Sequence, residues 1–384
     1  MRRVLVVCDG LPNGGAERQM ALLVRSLPDG YQVRVFSLGD GPYAEVLRES
    51  GAVLRVDPRR WRFDVSPALR LWREMFQWRP DVVHSWGWMS SATCIVACRL
   101  LGIPLIDGTI TSGRPPVRWT RANRVLVSRA DAVISISHAG LDAYGLQRRG
   151  AFVVHGGFDV ARVPQGCFRP VRAPGAMAEV IMVARMFREK DFDVLIDAAE
   201  AMHREGRRIR FTLMGWGPER ERLTARCREL ADAGVVRIMD SGLDVMPLLV
   251  TADIGVLLTD SRYAEEGLSN SIMEYMACGL PVVCTDSGGN REIVEDGSSG
   301  LLVPPRDSAA VVDALGLLLK EPGLARQLGE AGRERLRTEF SVEAMVEKTI
   351  AVYESVIVGN GAHRPHRMLT RERVGHKRGG EPRA

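Results

Sequence analysis

Two carboxylates, Glu266 and Glu274, flank the start of a stretch that reads as loop, helix and buried strand: Glu266-Gly267-Leu268-Ser269-Asn270-Ser271-Ile272-Met273-Glu274, then Gly279 and Pro281-Val282-Val283-Cys284. Gly267 is too flexible to open a helix, whereas Ser269 and Ser271 are good N-cap residues. Ser271 stands three before Glu274, the spacing of a capping box. Gly279 stops the helix and Pro281 opens the strand. Glu266 therefore precedes the helix N-terminus, and Glu274 lies one to two turns inside with its side chain leaning back toward it. A helix N-terminus offers free N–H groups and a positive dipole end to an anion such as phosphate. Carboxylates beside it can accept hydrogen bonds from sugar or ribose hydroxyls. Two acids at this spacing alone would equally describe a capping box and a solvated glutamate.

Two cations extend the pattern. The apolar run Val180–Ala184 reads as a strand that ends in Arg185-Met186-Phe187-Arg188-Glu189-Lys190. Arg185 and Lys190, at a strand's C-terminal end beside a helix N-terminus, can neutralise an anion such as a phosphate. Lys190 is one of four lysines in a chain with 48 arginines, and its compact ammonium is not interchangeable with a guanidinium. Near the start of the chain, the apolar strand Arg3–Cys8 runs through Gly14-Gly15 into a helix ending near Leu27. Strand, glycine turn and helix is the geometry in which backbone N–H groups meet a phosphate.

Glu266 to Glu274, Ala277-Cys278-Gly279-Leu280-Pro281, Gly288-Gly289-Asn290-Arg291-Glu292 and Gly300-Leu301-Leu302-Val303-Pro304-Pro305 together resemble the nucleotide-sugar half of retaining family-4 glycosyltransferases. The resemblance covers residues 183–305 strongly and most of 1–358 more weakly. It implies a GT-B architecture, an α/β fold of two doubly wound Rossmann-like domains facing a central cleft. It also implies roles. Arg185 and Lys190 would hold the donor diphosphate, the N–H groups of Gly267, Leu268 and Ser269 would complete the cradle, Glu274 would take the ribose and Glu266 the donor sugar. Gly14 and Gly15 would reach across to the donor, with Gly215, Trp216 and Val245 near the base. One position departs from the family: Thr111 stands where many members carry a histidine near the reacting sugar, so a mechanism relying on that imidazole is not implied.

The elements that must position these residues alternate regularly. Strands are expected at Val33–Ser37, Val53–Val56, Val82–Ser85, Leu105–Thr111 and Ala132–Ser137, then at Phe211–Met214, Val236–Met239 and Ile254–Leu258, with helices between. Domain boundaries are expected at 1–165 for an acceptor-binding domain and 166–340 for a nucleotide-sugar domain. A helix over 341–358 would cross back to the first domain, and the basic stretch 359–384 lacks apolar periodicity. The Pro- and Gly-rich segment 163–178 reads as the linker. His84, at a strand end, and His138, opening a helix, are acceptor-side candidates alongside Thr111 and Arg114; the loop 112–123 also carries Arg118, Trp119 and Arg121.

Composition excludes several classes. At 46% hydrophobic and 26% charged the chain is an ordinary globular one, and no apolar run is long enough for a membrane span. Seven scattered cysteines without a C-x-x-C pair suggest reduced thiols and a cytoplasmic protein. No G-x-G-x-x-G fingerprint follows the first strand, which argues against a dehydrogenase. Charge is uneven: residues 1–165 carry 22 Arg against 14 acids (+8), residues 166–358 carry 23 basic and 31 acidic groups (−8). A basic first half fits an anionic acceptor or peripheral contact with an anionic membrane face, and a solvated Arg-biased surface fits as well. No nucleic-acid partner is indicated. The expected activity is transfer of a hexose or N-acetylhexosamine from a nucleotide sugar, with UDP as nucleotide, to a glycan, lipid-linked or small-molecule hydroxyl. No cofactor or metal is expected, because two cations already neutralise the diphosphate. A nucleotide-sugar epimerase of the same fold, or a non-catalytic sugar-binding homologue, would share these motifs.

Overall fold

Continuous apolar strands alternate with helices, and that pattern dictates parallel sheets covered on both faces. The computed structural model describes residues 1–61, 64–113, 124–125, 127–164, 175–240 and 245–361. It contains two such sheets. The first has seven strands in the order β3-β2-β1-β4-β5-β6-β7, namely Arg2–Cys8 (β1), Tyr31–Ser37 (β2), Val53–Val56 (β3), Val82–Trp86 (β4), Leu105–Ile110 (β5), Ala132–Ser135 (β6) and Ala151–Val153 (β7). The second has six in the order β10-β9-β8-β11-β12-β13: Ala178–Val183 (β8), Ile209–Met214 (β9), Val236–Met239 (β10), Ile254–Leu257 (β11), Val282–Thr285 (β12) and Leu301–Val303 (β13). Every pairing within the two sheets is parallel. These are the two Rossmann-like domains expected from the sequence.

In each sheet the strand order reverses beside the first strand of its domain, β1 or β8. Ligands in open α/β sheets bind at that switch point, outside the carboxyl ends of the strands. The segments leaving β1, β4 and β5 therefore face those leaving β8 and β11, and the cleft lies between them.

The final helix, Val342–Gly361, packs on the first domain, where Met345, Val346, Val352 and Tyr353 join the core of β1, β2 and the helix Gly15–Ser26 (α1). Arg2 and Tyr31 both bind Glu354 on this helix. No helix among the described residues is long and apolar enough to cross a membrane. The described cysteines are buried free thiols. The basic loop with Arg114, residues 165–174 of the linker and the tail from residue 362 lie outside the described residues.

Candidate active site

The second domain supplies most of the chemistry. The helix whose start the resemblance assigns to the donor, hereafter the donor-side helix, runs Asn270–Ala277 and is capped by Ser269, whose Oγ accepts the N–H of Ile272 at 3.4 Å. The capping box expected between Ser271 and Glu274 does not form. The cap sits two residues earlier, which frees the Ser271 hydroxyl to donate to the Val183 carbonyl at 2.7 Å and tie the helix to β8. Among the described residues the backbone N–H groups of Gly267, Leu268, Ser269 and Asn270 have no hydrogen-bond acceptor. Those of Leu268 to Asn270 stand at the head of the helix, where the dipole favours an anion.

Lys190 is positioned by stitching between two loops. Asp191 N–H donates to the Leu258 carbonyl at 3.2 Å and Asp260 N–H to the Glu189 carbonyl at 2.9 Å. The ammonium thereby reaches Glu266 Oε1, which also accepts the Thr259 hydroxyl at 2.9 Å. Both side chains of this ion pair are largely buried, at 13% and 14% exposure. Burial alone would raise the Glu266 carboxyl; Lys190, Thr259 and Arg185 outweigh it and hold the group below the ordinary carboxylate range. Arg185 is exposed, with its guanidinium 5.0 Å over the Phe187 ring and 3.7 Å from Glu189.

Glu274 is 4% exposed. Its Oε1 accepts Arg18 Nη1 at 2.6 Å, from α1 of the first domain, and Arg162 Nη2 at 3.0 Å, from the turn beyond β7. The adjacent Gln19 donates to Asn270 Oδ1 at 2.9 Å and holds the Gly157 backbone through both ends of its amide. Neither Arg18 nor Gln19 stood out in the sequence. The signal was their place in the first turns of the helix that follows Gly14-Gly15, one turn from the cleft. Glu292 is a further cross-domain contact: its carboxylate takes the N–H groups of His138 and Ala139 at 2.9 Å each and His155 Nε2 at 3.1 Å.

These groups converge on one cavity of about 620 Å³ between the domains. Gly14, Gly15, Thr111, Arg185, Lys190, Trp216, Val245, Glu266, Leu268, Ser269 and Glu274 all line it. Glu17 and Trp86 do too, on the first-domain wall. Gly215 and Gly267 do not. A Cβ on Gly215 would lie 1.8 Å from the Ala184 carbonyl oxygen, and one on Gly267 would lie 2.6 Å from that of Thr111. Both are close-approach glycines behind the cavity wall.

Two acceptor-side expectations change. His84 is not at a strand edge: β4 continues to Trp86, so His84 lies mid-strand between Val6 and Ile106 and is 1% exposed. Its Nδ1 is 2.9 Å from the Tyr353 hydroxyl, and burial pushes its pKa down to about 3. It is a neutral core histidine, and Trp86 holds the place at the strand end. His138 is exposed at the start of the helix His138–Tyr144 but does not line the cavity; its ring stands 6.3 Å from that of His155.

Comparison with known proteins decides the family. Residues 13–162 match the family model "Glycosyltransferase Family 4" and residues 178–321 match "Glycosyl transferases group 1". The alpha-maltose-1-phosphate synthase of Mycolicibacterium smegmatis is 30% identical over 321 residues, 72% of this chain and 79% of that one. This chain is a group 1, family 4 glycosyltransferase. The glycogen synthase of Mycobacterium tuberculosis is 28% identical over 293 residues, covering 72% of this chain and 69% of the relative. Among solved structures, Anabaena HepE in complex with UDP-glucose superposes with a TM-score of 0.79 at 18% identity, over 92% of this chain and 100% of that one. At that identity the likeness concerns the fold. The glycosyltransferase is thus an enzyme of the GT-B architecture, with its two family segments facing each other across the cavity.

Proposed function

We propose that this glycosyltransferase is retaining, and that it moves a sugar from a UDP-sugar to a hydroxyl of a glycan, lipid-linked or small-molecule acceptor. One observation carries the reading: a single interdomain cavity gathers Arg185, Lys190, Glu266, Glu274 and the unengaged N–H groups at the head of the helix Asn270–Ala277. In this reading Arg185, Lys190 and those N–H groups hold the diphosphate, Glu274 accepts the ribose hydroxyls and Glu266 the hydroxyls of the donor sugar. The bond between the anomeric carbon and the diphosphate oxygen breaks, the acceptor oxygen bonds the same face of that carbon, and its proton passes to the departing phosphate. Charge grows on the leaving oxygen, so fixed cations and N–H dipoles are the protein's main lever. Two cations suffice for that charge, and the reaction needs no metal. The complex of Anabaena HepE with UDP-glucose supports trying UDP first. The basic first domain and tail would let the enzyme touch an anionic membrane face, where a lipid-linked acceptor would be met.

The test is a thermal-shift screen of nucleotide sugars, since a donor that binds the native state raises its melting temperature. The donor selected is then used with a candidate acceptor, and the anomeric configuration of the product is read by NMR. A screen in which no nucleotide sugar stabilises the protein overturns the assignment; an inverted product overturns retention. Glu274→Ala should weaken binding of the free nucleoside diphosphate about tenfold or more by calorimetry, because a charge-assisted hydrogen bond is removed.

A further inference from the structure

Glu274 takes both of its protein partners on one oxygen. Arg18 Nη1 and Arg162 Nη2 converge on Oε1, and Oε2 has no hydrogen-bond partner among the described residues. The three side chains come from three parts of the chain: the first domain, the turn Val160–Arg162 between the domains, and the donor-side helix. Arg18 is itself braced, its Nε donating to the Tyr43 hydroxyl at 3.3 Å. Arg162 lies with its guanidinium 5.6 Å over the Phe158 ring. Next to Arg18, Gln19 joins the same helix through Asn270. A carboxylate that is 4% exposed requires such partners, since an unpaired buried charge is costly.

We propose that Arg18 is a positioning residue for the donor: it fixes Glu274 with Oε2 left for the ribose, and so makes the ribose contact depend on where the first domain sits. The inference rests on the reading of Glu274 given above. Its consequence is a linkage. When the first domain swings away, Glu274 loses its strongest partner and with it the geometry that recognises the ribose. Donor binding therefore favours the closed arrangement, and the closed arrangement favours the donor by the same factor.

The experiment is calorimetric titration at constant salt. UDP, GDP and ADP are titrated first to identify the nucleotide, which is then compared with its 2′,3′-dideoxy counterpart on the unaltered protein and on Arg18→Met. The unaltered protein should prefer the ribose form about tenfold or more. Arg18→Met should bind the ribose form about tenfold more weakly, bind the dideoxy form nearly as before, and so discriminate between them by less than about threefold. Arg18→Lys, which keeps the charge but lacks the planar fork, should fall between. A merely structural role would weaken both ligands alike and leave the ratio untouched. A folded Arg18→Met that keeps the full ratio overturns the inference alone. An unaltered protein that binds no nucleotide, or makes no distinction between the two forms, removes the Glu274 assignment itself. If Arg18→Met does not fold, Arg18→Lys decides: an unchanged ratio overturns the proposal, and a reduced ratio supports it.

Discussion

Replacing Lys190 by methionine separates what the ion pair does for the reaction from what it does for the fold. The stem is kept and the charge removed. On the proposed reading, the leaving diphosphate loses one of the two cations lining the interdomain cavity. Removing one pre-organised group that stabilises developing charge costs on the order of 10²–10³ in kcat. On the stability side, Glu266 keeps among the described residues only the Thr259 hydrogen bond and the more distant charge of Arg185, with its side chain only 14% exposed. Breaking a fully buried pair costs about 3–5 kcal/mol; with both partners slightly hydrated, about 2–3 kcal/mol is expected. For a domain of this size that lowers the melting temperature by roughly 5–8 °C. Lys190→Met/Glu266→Gln removes the orphaned charge while the amide still accepts the Thr259 hydroxyl, so most of the lost stability should return and none of the activity. The pH dependence supplies a second check. The folded-state carboxyl of Glu266 lies below its ordinary value of 4.5, so the pair's stability is fully present above that value and is lost as pH falls through the depressed one. Lys190→Met should flatten that part of the acid limb. The assays are donor turnover and denaturation between about pH 3 and 7. Full activity in Lys190→Met, or no stability regained in the double variant, would refute the reasoning.

Other outcomes follow from particular contacts. Gly289→Ala would place a Cβ 1.5 Å from the Gly267 carbonyl oxygen, a backbone atom that cannot step aside. It should cost about 1–3 kcal/mol and weaken nucleotide binding, because the loop before the donor-side helix must shift; unchanged calorimetry would contradict the close packing. His84 is neutral in the fold, with its pKa near 3 against an ordinary 6.5. The unfolded chain therefore takes up a proton first, and stability falls as pH drops from 6.5 toward 3, by about 5 kcal/mol at most. His84→Phe should lose about 1 kcal/mol at neutral pH with the Tyr353 hydrogen bond and show a shallower acid limb in pH-dependent melting. Chelation with EDTA should leave glycosyl transfer unchanged; a loss restored by a divalent cation would show that two side-chain cations are not enough.

The fold was legible because its elements are locally consistent. Val4 to Cys8 and Val180 to Val183 are continuous apolar runs, and Gly279 with Pro281 separates the helix Asn270–Ala277 from β12. The short β13, Leu301–Val303, was not legible as a strand: three residues between Gly300 and Pro304 carry no period, and its pairing with β12 supplies the missing information. The site was legible as chemistry, since two cations could be read in the segment 185–190, and two carboxylates with a helix start in the segment 266–274. Its cross-domain half was not. Arg18 and Glu274 are 256 residues apart, and no local pattern says that a helix following Gly14-Gly15 will lean on the donor-side helix. His84 misled for a related reason: strand length decides which residue reaches the cleft, and two further residues of β4 put Trp86 there.

The two glutamates share one device, and it explains how strong charges coexist in a cavity before a ligand enters it. Glu266 accepts Lys190 and Thr259 on Oε1, Glu274 accepts Arg18 and Arg162 on Oε1, and among the described residues neither second oxygen has a partner. One oxygen of each carboxylate pairs with a cation; on the proposed reading the other remains to accept hydroxyls. The anchoring partners differ in a way that matters. Lys190 belongs to the same domain as Glu266, so that contact is indifferent to closure. Arg18 belongs to the opposite domain, so the Glu274 contact is not. A donor lying across both acids would meet one contact that is always formed and one formed only when the domains come together. On the proposed reading, the ribose contact would then report the position of the first domain.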